Sequence, residues 1–431
     1  MRSPPQPYAQ TAAIAFGVFA VAFLVRLLFI YQWHVTTPYG PNPVLDAAAY
    51  DFWARDILSG HWLRDEAFYQ SPLYPYLLSL AYAVSGSNLL VASLFNALLG
   101  ALSCAVLAQT AGQCFGKTAA IATGVLAAFY RPFIFYSAPA MKETLGILLL
   151  SLFLSFAVDA IERNRARSFF LGGLFLGLAA LTRGNVLLLA PAFVVFAIAR
   201  GRHAALKGCM FFLIASGLAI IPATFHNAVA SHDFVLINYN GGFNLYIGNS
   251  PSASPTNTYP PGISTNPFKE NFEVTKAAEA ALGSPLRPSQ VSNYWSRQAF
   301  DFILHNPAAT LSNIVLRAIL FWDDNEIRDN YDTDGFVEQY DTVLSWPLPG
   351  FLEIMFVAAL SLGAVWRTQR SAASLLLLFA GVYMLSVLPF HITDRYRLPV
   401  TVFLLPLAGA ALPCGIDIVH SLRRKNERGN I

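Results

Sequence analysis

An all-α membrane protein with about ten transmembrane helices (roughly nine to twelve) is what hydropathy, charge content and charge placement imply for this chain. Of its 431 residues, 55% are hydrophobic and 12% charged, about half the charged share of soluble domains. The apolar residues gather into ten stretches, most of them close to the roughly 20 residues that cross a bilayer. Basic residues fall between these stretches on alternate sides. Four cysteines (Cys104, Cys114, Cys209 and Cys414) have neither disulfide nor metal-ligand spacing and read as buried thiols.

The first stretch, 11–30, is longer than a signal-peptide core and no small-residue cleavage site follows, so it is expected to stay as the first span. The next are 89–109, 118–136 and 143–161. Two short stretches, 169–181 and 186–199, are separated only by Thr182, Arg183, Gly184 and Asn185, which predicts a tight helical hairpin or one broken span. After 206–225 comes a long polar interval, then 348–365, 371–389 and 398–412.

Lys117, Arg163, Arg165, Arg167, Arg200, Arg202, Lys207, Arg367, Arg370 and the tail Arg423, Arg424, Lys425 and Arg428 all fall on one side if the N-terminus is inside. By the positive-inside rule that side is the cytoplasm, with both termini there. The chain then divides into a transmembrane module 1–225 with a first external loop 31–88, an external subdomain 226–347, and C-terminal spans with a basic tail, 348–431. In 226–347, segment 250–267 is rich in Pro, Ser, Thr and Asn and should be irregular, while 291–305 and 311–322 read as helices, the second apolar enough for the membrane interface.

What this orientation leaves outside carries the chemistry. Arg131, Lys142, Glu143, Arg183, His391, Asp394, Arg395 and Arg397 sit at external helix ends or turns. Ionisable groups beside a bilayer are costly unless they face a polar cavity or pair with one another. Cations gathered against the charge bias suit an anion at the membrane surface, and arginine suits phosphate through its bidentate fork. Asp46 opens a segment in which Tyr50, Trp53, Ala54, Ile57 and Leu58 share one helical face. Its bland role is to cap that helix; its chemical role would be that of a base. Asp51 and Asp56 fall on the more polar side and should be solvated. Tyr69–Tyr76, with two prolines and three tyrosines, fits an interfacial elbow or a sugar-stacking wall. Walker, Rossmann, nucleophile-elbow and zinc-protease motifs are absent.

These segments, in this order, resemble the GT-C membrane glycosyltransferases, specifically family 39, the protein O-mannosyltransferase and aminoarabinose transferase group. The residues are Asp46-x-x-x-Tyr50, Ser71-Pro72-Leu73-Tyr74, Lys142-Glu143-Thr144-Leu145, the run from Gly177 to Arg183, the runs from Asn240 to Asn249 and Leu320 to Ile327, and Asp394-Arg395-Tyr396-Arg397-Leu398-Pro399. The resemblance implies transfer of a hexose or pentose from a polyprenyl-phosphate donor to a protein, lipid or glycan acceptor, at the outer face of a bacterial inner membrane. It implies Asp46 as general base, with Arg183, Arg395, Arg397 and Lys142 on the donor phosphate. Glu143, Tyr50, Tyr74, His391 and Asp394 would contact substrate. Ala47 stands where relatives often carry a second acid, so no metal or other cofactor is implied, and Gln70-Ser71 replaces a basic-Pro pair. The rival from another class, a transporter or flippase of a lipid-linked sugar, would put polar groups at the bilayer midplane and pair its broken helices.

Overall fold

A computed structural model describes residues 8–415 apart from Arg202 and Asn257; the basic tail Arg423, Arg424, Lys425 and Arg428 lies outside the described residues. Among them the chain is helical throughout, with no named strand and a single isolated bridge between Thr256 and Ile392. It is a multi-pass membrane protein: eight helices are long and apolar enough to cross a bilayer, and four shorter apolar helices accompany them.

In chain order these are α1 (Tyr8–Thr36), α2 (Leu45–Leu58), α3 (Leu73–Ser85), α4 (Leu89–Phe115), α5 (Lys117–Phe129), α6 (Arg131–Phe135), α7 (Glu143–Arg163), α8 (Ala166–Ala180), α9 (Leu189–Gly201) and α10 (His203–Ser231). The segment after α10, called outer because it has a core apart from that of the bundle, supplies α11 (Gly241–Gly248), α12 (Pro267–Leu282), α13 (Pro288–His305), α14 (Pro307–Phe321) and α15 (Thr333–Gln339), and the chain returns through α16 (Phe351–Thr368), α17 (Arg370–Val387) and α18 (Asp394–Gly409).

Each of the ten expected spans corresponds to a helix, with two changes. The stretch 118–136 is broken at Tyr130, because Pro132 in the first turn of α6 has no amide to donate and its ring obstructs the preceding turn. The segment 186–199 begins as a 3₁₀ turn, Gly184–Leu188, before α9. Helix α3 was not expected as a helix, since its 13 residues fall short of a span. The irregular segment 250–267 runs from the end of α11 to the start of α12, as its composition predicts.

The bundle is built around α18, whose apolar window is 72% buried, against 22% for the peripheral α1. Helices α8 and α10 come into backbone contact where α8 presents Gly173 and Gly177. A Cβ on Gly173 would stand 2.0 Å from the Phe212 carbonyl oxygen, and one on Gly177 2.5 Å from that of Ser216. Without a hydrophobic force between helices in lipid, such backbone contact is what dispersion packing requires.

The outer segment has its own small apolar core, with Tyr69, Tyr239, Phe243, Ile247, Val274, Ala278, Val291 and Trp295. Within it the Glu270 carboxylate is 6% exposed and accepts hydrogen bonds from Tyr69 at 2.7 Å and Tyr259 at 2.5 Å. Burial raises its pKa above the usual 4.5, partly opposed by the two hydroxyls. Helix α14 turns Leu311, Val315, Leu316 and Ile319 outward. Its opposite side buries Arg317, which donates to the carbonyls of Leu388, Gly248 and Ser254 and so ties the outer segment to the end of α17.

Two outcomes follow from this packing. Gly173→Leu should destabilise the bundle by about 2 kcal/mol or more, seen as a lower Tm in detergent, while Gly217→Leu, where an added Cβ meets nothing within 4 Å, should leave it nearly unchanged; equal Tm values would contradict the close α8–α10 contact. A carboxyl whose pKa is raised on folding favours the native state below its unfolded value and loses that contribution as pH rises. Wild-type stability should therefore fall as pH rises from about 4.5 through the raised value of Glu270, and Glu270→Gln should flatten that fall in thermal melts at a series of pH values.

Candidate active site

Asp46 is in the first turn of α2, but the N-cap is Val44 and no side chain caps the helix. The preceding Leu45 has φ +46°, a left-handed conformation that costs a side-chain-bearing residue about 1 kcal/mol or more. That kink starts the helix one residue before Asp46 and turns its carboxylate inward, so the capping role is corrected. Asp46 Oδ2 accepts from Arg395 Nη1 at 2.5 Å and Asn330 Nδ2 at 2.8 Å, and Oδ1 accepts from Gln70 Nε2 at 3.3 Å. Burial alone would raise the Asp46 pKa; the Arg395 charge and the hydrogen bonds from Asn330 and Arg395 outweigh it and hold the carboxyl below its usual value.

Arg395 occupies the centre. Its Nε donates to Asp329 at 2.5 Å, and its Nη1 lies 3.8 Å from Glu143 Oε1. Glu143, in the first turn of α7, also meets Arg183 at 3.5 Å, while its Oε2 is buried with no partner. Pro399 explains the remaining tie. In α18 its missing amide would have bonded the Arg395 carbonyl four residues earlier, and that carbonyl instead accepts from Arg183 Nη2 at 3.4 Å. Arg183 and Arg395 both lie against the Tyr396 ring, at 4.6 and 5.5 Å from its centroid.

Lys142, Glu143, Arg183 and Arg395 line one cleft, which continues between Gly146, Ile147 and Leu150 of α7, Val186, and Leu398 and Pro399 of α18. Its charged side chains stand at the starts of α7 and α18 and in the turn after α8, and its apolar wall runs along α7 and α18. The Lys142 ammonium reaches Ser71 at 3.4 Å and lies 6.0 Å from the Tyr50 ring centre. Burial first, then the Arg183 charge, bring its pKa down to about 8, so an arriving anion would add to its charge.

Not every candidate residue reaches the cleft. Arg397 is 2% exposed and turned to the far side of α18, where it pairs with Glu326 at 2.7 Å and donates to the carbonyls of Asp323 and Asn325. It fastens the loop 323–332, which then returns Asp329 and Asn330 to Arg395 and Asp46. Asp394 accepts from Tyr136 at 2.9 Å and Thr333 at 3.0 Å and works inside the wall. Tyr50 and Tyr74 pack edge to face at 5.6 Å in the core. His391 is buried, and burial brings its pKa down to about 4, leaving it neutral at pH 7. Arg131 is engaged with the Leu348 carbonyl. Asp51, expected in solvent, is instead covered by α3, accepting from Tyr82 at 2.5 Å and pairing with Arg55 at 2.8 Å.

Sequence reasoning missed Asp329 and Asn330. They follow the polar run from Asp323, and their signal was nearness to the Leu320 to Ile327 segment that carries part of the resemblance. No group of three His, Cys, Asp or Glu able to hold a metal occurs among the described residues. The carboxylates of Asp46, Asp329 and Glu143 converge on a guanidinium, so these residues do not fit a resident metal ion.

Comparison with known proteins bears on this geometry. Residues 69–226 match the family model of dolichyl-phosphate-mannose-protein mannosyltransferase. A search of curated proteins finds no match. Among solved structures, the apo oligosaccharyltransferase of Archaeoglobus fulgidus is similar at 14% identity and TM-score 0.57, over 96% of this chain and 52% of its own. The same archaeal enzyme, AglB, in complex with an inhibitory peptide and a dolichol-phosphate gives TM-score 0.51 at 14% identity, again over 96% of this chain and 52% of its own. ArnT from Cupriavidus metallidurans bound to undecaprenyl phosphate aligns at 18% identity and TM-score 0.43 over 95% of this chain and 79% of its own. The chain spans about half the length of the archaeal enzyme. It thus shares the helical fold of the archaeal oligosaccharyltransferase, and residues 69–226 match the mannosyltransferase family model.

Proposed function

We propose that this protein transfers a sugar from a polyprenyl phosphate to an acceptor hydroxyl at the outer face of a bacterial inner membrane, with both termini in the cytoplasm. The observation that carries the reading is the cleft itself, in which Lys142, Arg183 and Arg395 line the end at the starts of α7 and α18 and the rest of those helices forms an apolar wall. A phosphate on a hydrocarbon chain needs that pairing of charge with grease. The mannosyltransferase family match supports it, and so does the archaeal enzyme of the same fold, solved with a dolichol-phosphate.

The chemistry is a single displacement with inversion at the anomeric carbon. Asp46 takes the proton of the acceptor hydroxyl, whose oxygen forms the new bond to that carbon. The bond from the carbon to the phosphate oxygen breaks, its electron pair leaving with the lipid phosphate. The carbon passes through an oxocarbenium-like state, as in glycoside hydrolysis. No acid protonates the leaving group; cations stabilise the charge it gains. Lys142, Arg183 and Arg395 do this, and the unpartnered oxygen of Glu143 receives a sugar hydroxyl. The outer segment 226–347 covers the acceptor side, with Gln70 and Asn330 holding the base in orientation.

Asp46→Asn should abolish transfer while the protein still accumulates and binds donor, since positioned base catalysis is worth about 10²–10⁴-fold. Reconstituted protein with membrane-extracted polyprenyl-phosphate sugars, followed by mass spectrometry of glycans, tests this; turnover near wild type would remove Asp46 from the mechanism. Arg183→Ala should raise the donor concentration needed for half-maximal rate, and an unchanged requirement would remove Arg183 from the phosphate site.

A further inference from the structure

The outer core holds a carboxylate that the proposed chemistry does not use. Glu270, in the first turn of α12, accepts from the hydroxyls of Tyr69 at 2.7 Å and Tyr259 at 2.5 Å, its only hydrogen-bond partners among the described residues. We infer that Glu270 is a positioning residue for the base, acting on Asp46 through Tyr69 and the next residue, Gln70. The inference rests on the proposed transfer and adds a residue to it.

A charge in that place needs a reason. Among the described residues no cation pairs with Glu270, and a buried charge without an opposite neighbour is expensive. Its raised pKa records that cost. What the charge supplies is direction. An ionised carboxylate accepts with both oxygens and donates with neither, so each tyrosine hydroxyl is held pointing at it. An amide would offer one accepting oxygen in place of two.

The path to the base runs along residues 68–73. The Phe68 N–H donates to Asn227 Oδ1 at 2.9 Å, and its carbonyl accepts from the Tyr239 N–H at 3.1 Å. Glu270 then fixes Tyr69 by its side chain. On the other side, Ser71 accepts from Lys142 at 3.4 Å, and the Leu73 N–H donates to the Leu181 carbonyl at 3.3 Å. Gln70 is therefore held from both directions where its Nε2 donates to Asp46 Oδ1 at 3.3 Å. That oxygen matters most for the proposed step. Arg395 and Asn330 both donate to Oδ2, so Oδ1 has the free capacity to take the acceptor proton, and Gln70 is its one protein donor among the described residues. Turning that oxygen correctly falls to Gln70, and so to what holds Gln70.

The test follows transfer by the reconstituted full-length protein, with membrane-extracted polyprenyl-phosphate sugars as donor and extracted membranes as acceptor, beside undecaprenyl phosphate binding in detergent. Tyr69→Phe keeps the ring and removes the tie; it should lower kcat about five-fold, what one orienting hydrogen bond is worth. Glu270→Leu should match it, and Glu270→Gln, with one accepting oxygen left, should fall between that value and wild type. Tyr259→Phe, which leaves the Tyr69 tie in place, should leave kcat unchanged. Donor KM and undecaprenyl phosphate binding should stay at wild-type values throughout, because Lys142, Arg183 and Arg395 are untouched. In a Gln70→Leu background, itself slowed, Tyr69→Phe should cost nothing further, since residues acting through one contact share one loss. Losses that multiply in full, at an unchanged Tm, overturn the path through Gln70. A wild-type kcat in Tyr69→Phe overturns it too, as does a raised donor KM, the sign of a site loosened as a whole. Asp46→Asn turning over near wild type removes the base and this inference with it, and so does absence of transfer by the wild-type protein. An inactive Asp46→Asn beside independent losses at Tyr69 and Gln70 overturns this inference alone.

Discussion

The guanidinium of Arg395 lies among Asp46, Asp329 and Glu143, and the arrangement of this end of the bundle follows from satisfying it. Isolated buried charges are too costly to keep, whereas a network in which each charge has an opposite neighbour is tolerable when its hydrogen bonds are also met. Four separate parts of the chain contribute: α2 brings Asp46, α7 brings Glu143, the loop before α15 brings Asp329, and α18 brings Arg395. None is charge-balanced alone. The network therefore fixes these parts against one another with a precision that apolar packing between helices in lipid does not supply.

Beneath it the helices act as a frame. Small residues on α8 bring α10 within backbone contact, and α18 runs through the middle with proline at 399 and 406. Above it, the outer core of aromatic and aliphatic residues gathers Tyr69 from the first loop with Val274 and Trp295 from the second. The two layers meet at loop 323–332 and at the Arg317 tie.

Much of this was legible in the sequence, for a physical reason. Apolar runs near twenty residues announce spans, and charges at their ends stand out because a bilayer makes them costly. Lys142, Glu143, Arg183 and Arg395 could be singled out on that ground, and Asp46 by the resemblance of its segment. Asp329 could not: a carboxylate in a run of Asp, Asn and Glu looks solvated, and only the Arg397 grip, a tertiary contact, turns it inward. Arg397 erred the other way, since its neighbour two residues earlier faces the cleft while it faces the loop. Asp51 was misread because one helix was judged by itself, and the covering Tyr82 belongs to a helix too short to register as a span. The break before Pro132 was present in the sequence, but hydropathy averages over it.

Pro399 has a consequence beyond its own helix. A ring that removes one amide leaves the Arg395 carbonyl open, and Arg183, from a turn more than two hundred positions earlier, occupies it. Proline and arginine are in this sense one inherited trait written in two places. A descendant that replaced the proline would close its helix and take one acceptor from the arginine, leaving it Glu143 and the Tyr396 ring; one that replaced the arginine would leave a carbonyl unanswered. Drift at either site alone meets resistance, so the pair should pass between generations together or be lost together.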